Sequence, residues 1–302
     1  MSTVLITGGS GLIGTHLCKR LQEQGYDVAI LGRKRKLNTA IPHYTWDWKT
    51  KTIDRRAIDV ADYIIHLAGA NIGDKRWTVI RRKLIVDSRV KTAELLFDQV
   101  KEQKTHLKAF ISASAIGYYG TITSNYIFSE SDPPAGDFLG ETCRQWEESA
   151  DRFVDLSIRS VKIRTGVVLT RKGGALSKMA APVKMGIGSA IGTGGQYLPW
   201  IHIDDLCGIY IRVLEDDKMT GPYNAVAPDH KTNEEFTRIM ARVLKKPFIS
   251  TKLPAITMKL MFGKMSEIIL KGSRVSSEKI ITAGYKFQFT ALKEALTNLL
   301  IK

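Results

Sequence analysis

A chain of 302 residues exceeds the roughly 100–200 residues of one ordinary domain, so it holds either one large α/β domain or a domain with a smaller appendage. Its 44% hydrophobic and 25% charged residues exclude a disordered or fibrous chain, and no apolar run approaches the roughly 18–20 residues that cross a bilayer. Lys plus Arg outnumber Asp plus Glu by 45 to 30, a formal charge of +15 that favours encounter with anions without naming one.

Met1 leads straight into Val4-Leu5-Ile6-Thr7-Gly8, without the basic and apolar regions of a secretion signal. Cys18, Cys143 and Cys207 are odd in number, far apart and without C-x-x-C spacing, which argues against a disulfide framework or a metal site and for three small buried hydrophobes. The expectation is a soluble, cytoplasmic protein with no membrane partner. Nucleic acid would rest on charge alone, since the positive residues are spread along the chain and no recognition motif accompanies the runs Arg33-Lys34-Arg35-Lys36 and Arg81-Arg82-Lys83.

In chain order, short β-rich apolar runs alternate with longer segments of helical period. Strands are predicted at Val4–Thr7, Asp27–Gly32, Tyr63–Leu67, Ala109–Ser112 and Ser160–Arg164, with helices at Ile13–Gln24, Val79–Lys104 and Leu139–Val154 between them. That alternation predicts an α/β fold of the Rossmann type, a doubly wound parallel sheet. After Arg164 the glycines at 173, 174, 186, 188, 192, 194 and 195 predict loops around a short helix. Helices follow at Asn233–Leu244, capped by Thr232 or Asn233, and at Ala255–Leu270 after Pro254. The expected division is 1–165, joined again by about 201–228, as a nucleotide-binding domain, with 166–200 and 229–302 as a smaller, mostly helical substrate or lid part.

Thr7-Gly8-Gly9-Ser10-Gly11-Leu12-Ile13-Gly14 sits directly after a strand and opens a helix. Glycines at 8, 11 and 14 permit a tight turn, let backbone N–H groups approach a pyrophosphate, and let the helix pack closely with its N-terminus toward the anion. Gly8, Gly11, Leu12, Ile13 and Gly14 are therefore candidate cofactor-binding residues. The end of the second strand reads Gly32-Arg33-Lys34 with no carboxylate for a ribose hydroxyl. Guanidinium geometry at Arg33, beside Lys34, suits the extra phosphate of NADP, so NADP(H) is the expected cofactor rather than NAD.

His66-Leu67-Ala68-Gly69-Ala70, Ser112 through Gly120, Arg164 through Leu169, Trp200 through Asp205 and Tyr223 through Pro228 join the glycine motif in a pattern that resembles the extended short-chain dehydrogenase/reductases. The resemblance covers nearly the whole chain and is to the uncharacterised sugar-nucleotide epimerase branch of that family. It implies that Leu67 and Ala68 line the adenosine side, that Arg89 faces the cofactor pocket from its helix, and that Gly166, Val167 and Val168 border the nicotinamide. A homodimer built through helices would be ordinary for such a protein.

Active members of that family pair a Ser or Thr with a Tyr-x-x-x-Lys on the next helix, where the lysine helps the phenol move a proton while hydride moves at the nicotinamide. Here Leu139 falls at the tyrosine position and Cys143 at the lysine position, so both groups are missing. Ser114 keeps the Ser/Thr position. Tyr118 or Tyr119 could supply the acid, with Arg144 or Arg89 nearby. Cys143, in mid-helix, has no evident partner to make it a nucleophile, and His202 and Asp205 read as a pocket-wall histidine and as a helix cap or buried hydrogen-bond hub. Two functions remain: an NADP(H)-dependent oxidoreductase or epimerase-like enzyme acting on a small polar, sugar-related substrate, and an NADP(H)-binding regulator without catalysis.

Overall fold

A computed structural model describes residues 2–34 and 39–301. In chain order the strands are β1 Thr3–Thr7, β2 Asp27–Gly32, β3 His43–Asp47, β4 Thr52–Ile53, β5 Tyr63–His66, β6 Ala109–Ala115, β7 Ile127–Phe128, β8 Arg159–Thr165, β9 Val167–Leu169, β10 Gly188–Ile191, β11 Trp200–His202, β12 Gly221–Ala225, β13 Phe248–Leu253 and β14 Arg274–Val275. The helices are α1 Leu12–Glu23, α2 Arg56–Asp59, α3 Val79–Gln103, α4 Phe138–Asp151, α5 Gly174–Lys184, α6 Ile203–Glu215, α7 Asn233–Val243, α8 Ala255–Phe262, α9 Glu267–Leu270, α10 Glu278–Thr282 and α11 Leu292–Leu300.

Among the described residues, eight strands form one sheet in the order β12-β8-β6-β5-β1-β2-β3-β4, parallel throughout except for the β3–β4 hairpin. Strand order reverses beside β1, which pairs with β2 on one side and β5 on the other. This is the Rossmann arrangement expected from the sequence, and its reversal opens a crevice at the carboxyl ends of β1 and β5. Val4, Ile6, Ile65, Ile111 and Ile163 face α1 and α6 on one side of the sheet. Leu5, Ile64 and Phe110 face the other side, where the Phe110 and Phe153 rings stack at 3.8 Å. Alternating burial on both faces is why these strands read as continuous apolar runs.

A third core lies beyond the sheet. Leu169 and Leu176 pack there with Trp200, Phe236, Met240 and four side chains of α11, Leu292, Ala295, Leu296 and Leu299. α7 starts with a reciprocal capping box, Thr232 with Glu235. The expected helix over Ala255–Leu270 is broken: α8 stops at Phe262, and Gly263 takes a φ of +58°, a left-handed conformation that ends the helix and starts a 3₁₀ turn before α9. No helix among the described residues is long and apolar enough to cross a membrane.

Candidate functional site

The glycine turn joins β1 to α1 at the crevice. Gly8 has a φ of +71°, and a Cβ on it would lie 3.0 Å from the Leu67 carbonyl carbon, so the turn presses directly on the end of β5. A Cβ on Gly14 would collide with the Gly8 carbonyl oxygen and lie 2.6 Å from Gly9 Cα, which keeps α1 tight against the turn. Gly11 is the N-cap of α1; it offers no side chain to the first-turn N–H groups, and no acid stands in that turn. The helix therefore starts with free donors and an uncompensated positive dipole end, with Leu12 exposed and Ile13 half-buried beside them.

The strand register places Thr7 beside Leu31, so Gly32, Arg33 and Lys34 follow at the same edge as the glycine turn. Both Arg33 and Lys34 are exposed. Arg35 and Lys36, which continue the basic run, lie outside the described residues.

Leu67 and Ala68 are held by a buried histidine. His66 is fully buried, with Nδ1 2.7 Å from Thr7 Oγ1 and Nε2 3.1 Å from Thr92 Oγ1. Thr92 already donates to the Ser88 carbonyl, and Thr7 Oγ1 accepts from Ala68 N at 3.2 Å. Thr7 therefore donates to Nδ1 and the ring carries its hydrogen on Nε2. Burial pushes the ring's pKa down to about 4, so this histidine is neutral and structural.

Arg89 reaches from α3 to the turn after β5. Its Nη1 donates to the Ala70 carbonyl at 3.1 Å and the Ile85 carbonyl at 2.9 Å, and its guanidinium lies 4.9 Å from the Trp146 ring centroid. Among the described residues no carboxylate pairs with it, and burial lowers its pKa to about 10. Across the crevice, Gly166 N donates to Ala225 O and Val167 N to Pro199 O, which fixes the backbone after β8 at this same carboxyl edge. The structure thus gathers the glycine turn, Arg33, Lys34, Leu67, Ala68, Gly166 and Val167 along one rim, with Arg89 behind it.

Ser114 is buried, and its hydroxyl donates to Glu147 Oε1 at 2.6 Å. Glu147 is also the acceptor of a two-point contact from Arg164, at 2.8 Å through both Nε and Nη2. Arg164 Nη1 donates to the Tyr119 hydroxyl at 3.0 Å, and that hydroxyl donates to Asn224 Oδ1 at 2.7 Å. This chain of contacts runs from β6 through α4 and β8 to β12, so its members lock four elements together. Burial raises the Tyr119 phenol far above its ordinary range, which leaves it a structural donor.

Tyr118 is half-buried, and its ring centroid lies 3.4 Å from Arg164 Cζ. Its pKa is raised, mainly by burial, with Arg164 opposing the rise. Arg144, expected near it, instead pairs with Glu141 and Glu148 on its own helix. Leu139 and Cys143 both face Gly117, in the turn that carries Tyr118: a Cβ there would lie 3.3 Å from Leu139 Cβ and 3.7 Å from Cys143 Sγ. Burial, reinforced by the negative Glu147, pushes the Cys143 thiol up to about 12. A thiol kept protonated in this way is a poor nucleophile.

The later motif divides its duties. His202 is the N-cap of α6, with Nδ1 accepting from Asp204 N at 3.1 Å, and Phe289 stacks on its ring at 3.9 Å. Asp205 is the buried hub rather than the cap, accepting from Tyr285 OH, Gln288 N and Phe289 N at 2.7–3.0 Å. Among the described residues no group of three or more His, Cys, Asp or Glu side chains could hold a metal ion. Sequence reasoning missed Glu147 and His66's two hydroxyl partners, because the contacts join residues that only the folded sheet brings together.

Known proteins resemble this chain in sequence and fold. The NAD dependent epimerase/dehydratase family matches residues 4–144, and a domain of unknown function, DUF1731, matches residues 253–299. The human epimerase family protein SDR39U1 is 34% identical over 303 residues, covering 98% of this chain and 99% of that protein. An epimerase family protein of Staphylococcus aureus is 32% identical over 303 residues and covers both chains fully. The crystal structure of the human protein, solved with NADPH, superposes with a TM-score of 0.86 at 32% identity over 98% of each chain. A nucleoside-diphosphate sugar epimerase from Corynebacterium glutamicum gives a TM-score of 0.80 at 30% identity, with 99% of this chain covering 58% of that one. With such identity over essentially its full length, the chain belongs to the epimerase family, within the NAD-dependent epimerase/dehydratase-like extended short-chain dehydrogenase/reductases.

Proposed function

We propose that the chain binds NADP(H) along the rim formed by β1, β2, β5 and β8 and acts as an oxidoreductase or epimerase-like enzyme on a small polar, sugar-related substrate. The observation that carries this reading is the glycine turn: a cradle with no room for a Cβ at Gly14, opening on helix donors that no side chain caps. The residues present fit the dinucleotide. Gly8, Gly11, Leu12, Ile13 and Gly14 would hold the pyrophosphate, Arg33 and Lys34 the extra phosphate, Leu67 and Ala68 the adenosine side, and Gly166 and Val167 the nicotinamide side. Arg89 keeps the Gly69-Ala70 turn in place and lends positive charge behind the crevice. NADPH in the human relative's crystal supports the choice of cofactor.

When bound, the cofactor supplies hydride. The protein's own task is then the proton, and Tyr118 is the group placed to hold it, as a neutral phenol stacked on Arg164. Ser114 supports that position from behind, through Glu147 and Arg164. We further propose the division into a nucleotide-binding part, 1–165 with 201–228, and a substrate part, 166–200 with 229–302, supported by the third core that the latter segments build.

A second reading has its own observation. Leu139 and Cys143 replace the tyrosine and lysine, and the Ser114 hydrogen is committed to Glu147, so the pocket also suits a protein that binds NADP(H) without turnover. A fluorescence titration with NADPH and NADH, followed by stopped-flow reading of bound NADPH against carbonyl compounds and nucleotide sugars, separates the two. Binding with oxidation supports the enzyme, and Tyr118→Phe should then slow it; binding without oxidation supports the regulator. Arg33→Ala should weaken NADPH binding by roughly tenfold or more and NADH binding little, as loss of a charge-assisted phosphate contact requires. Equal losses for the two nucleotides would remove Arg33 from the phosphate site.

A further inference from the structure

α8 is unlike the other helices. It carries one charge, Lys259, and of its eight residues only Met258 is buried. Beside it stands the start of α3: Arg76 Nε donates to the Met261 carbonyl at 3.0 Å and its Nη2 to the Leu260 carbonyl, while Trp77 and Met265 pack beneath. The two segments, about 180 residues apart in sequence, thus form one face. On it Val79, Ile80, Ile256, Leu260 and Met261 are between 57% and 85% exposed. An isolated exposed apolar residue needs no explanation, but five large ones on α8 and on the helix start that Arg76 ties to it mark an interaction surface.

The charges around this face are one-sided. Residues 71–84 and 254–266 contain Lys75, Arg76, Arg81, Arg82, Lys83, Lys259 and Lys264 against the single acid Asp74. None of the seven cations stands in an ion pair among the described residues. A second copy of the chain across a two-fold axis would set these cations against themselves, which opposes self-association through this face. Val79 and Ile80 protrude from a helix start, as tips that enter a headgroup layer must. We propose that the face formed by α8 and the start of α3 docks on an anionic lipid bilayer, with the five apolar side chains entering the interface and the exposed cations Lys75, Arg76, Lys83, Lys259 and Lys264 facing the headgroups. Such docking needs no membrane-spanning segment, and it is independent of what the crevice binds.

The test is flotation of the purified full chain with vesicles of phosphatidylcholine alone and of phosphatidylcholine mixed with phosphatidylglycerol. The chain should float with the mixed vesicles, release as salt is raised, and ignore the neutral ones. Ile80→Ser with Leu260→Ser should lower partitioning by roughly a hundredfold, about tenfold for each apolar side chain kept out of the interface. Val154→Ser, 58% exposed but in the 3₁₀ turn before β8, should leave partitioning unchanged. An unaltered NADPH titration and thermal melt would show that the double variant is folded. No flotation with the mixed vesicles, or flotation that survives the double variant, overturns the proposal. So does a lipid-free dimer that the same two substitutions dissociate, which would make the face a contact between copies.

Discussion

At the scale of single residues, the glycine turn carries its constraint in its own backbone, whereas the buried His66 ring depends on hydroxyl partners distant in the chain. Gly8, Gly11 and Gly14 reveal themselves because a backbone that admits no Cβ leaves its mark as glycine at fixed spacing. His66 leaves no such mark, since its role depends on Thr7 and Thr92, 59 and 26 residues away. Its ring is neutral and buried, with a folded pKa of about 4 against an ordinary 6.5. Between those values the unfolded chain binds the proton that the folded chain refuses, so the unfolded state gains as pH falls. Stability should therefore decline below about pH 6.5, and His66 should account for roughly 3 kcal/mol of the loss by pH 4. An imidazole NMR signal that stays in its neutral form through pH 5 would verify this; a ring that titrates near 6.5 in the folded protein would refute it.

Among elements, β1, β2, β5, β6 and β8 and the helices α1, α3 and α4 fall within a few residues of their predicted bounds, because apolar runs and helical period survive into the buried faces. The outer strands show less pattern. β3 buries only Trp46, so its sequence shows no alternation, and β12 holds its place through pairing with β8 rather than through pattern. The break after α8 turns on the conformation of one glycine inside an otherwise continuous apolar period. Between elements, the Glu147–Arg164 pair decides how α4 sits on the sheet. Glu147→Gln should lower stability by about 3 kcal/mol, since it strands a buried guanidinium. Glu141→Gln, which removes an exposed partner of Arg144, should cost less than about 1 kcal/mol. Urea unfolding of the two variants measures the contrast, and similar midpoints would mean that the buried pair is not what anchors α4.

For the whole molecule, the join between the sheet and the C-terminal segment rests on Asp205. Its carboxylate satisfies the Gln288 and Phe289 N–H groups and the Tyr285 hydroxyl, and burial holds its pKa above the ordinary carboxylate value. Asp205→Ala should leave those donors unmet, lower stability by roughly 2–4 kcal/mol and loosen residues 285–299. Limited proteolysis reads the effect: early cleavage after Tyr285 is expected, and an unchanged digestion pattern would show that α11 is held by its apolar contacts alone. Those contacts also impose an order on how the molecule comes into being. Leu169 and Leu176 leave the ribosome more than a hundred residues before Leu296 and Leu299, which complete their core. Once made, Trp200 and Phe236 have no finished surface to rest on until α11 follows, while β1 through β6 and β8 already pair with one another. The nascent chain should therefore emerge with most of its sheet paired and the third core still waiting, and it is in that window that chaperones would find something to hold.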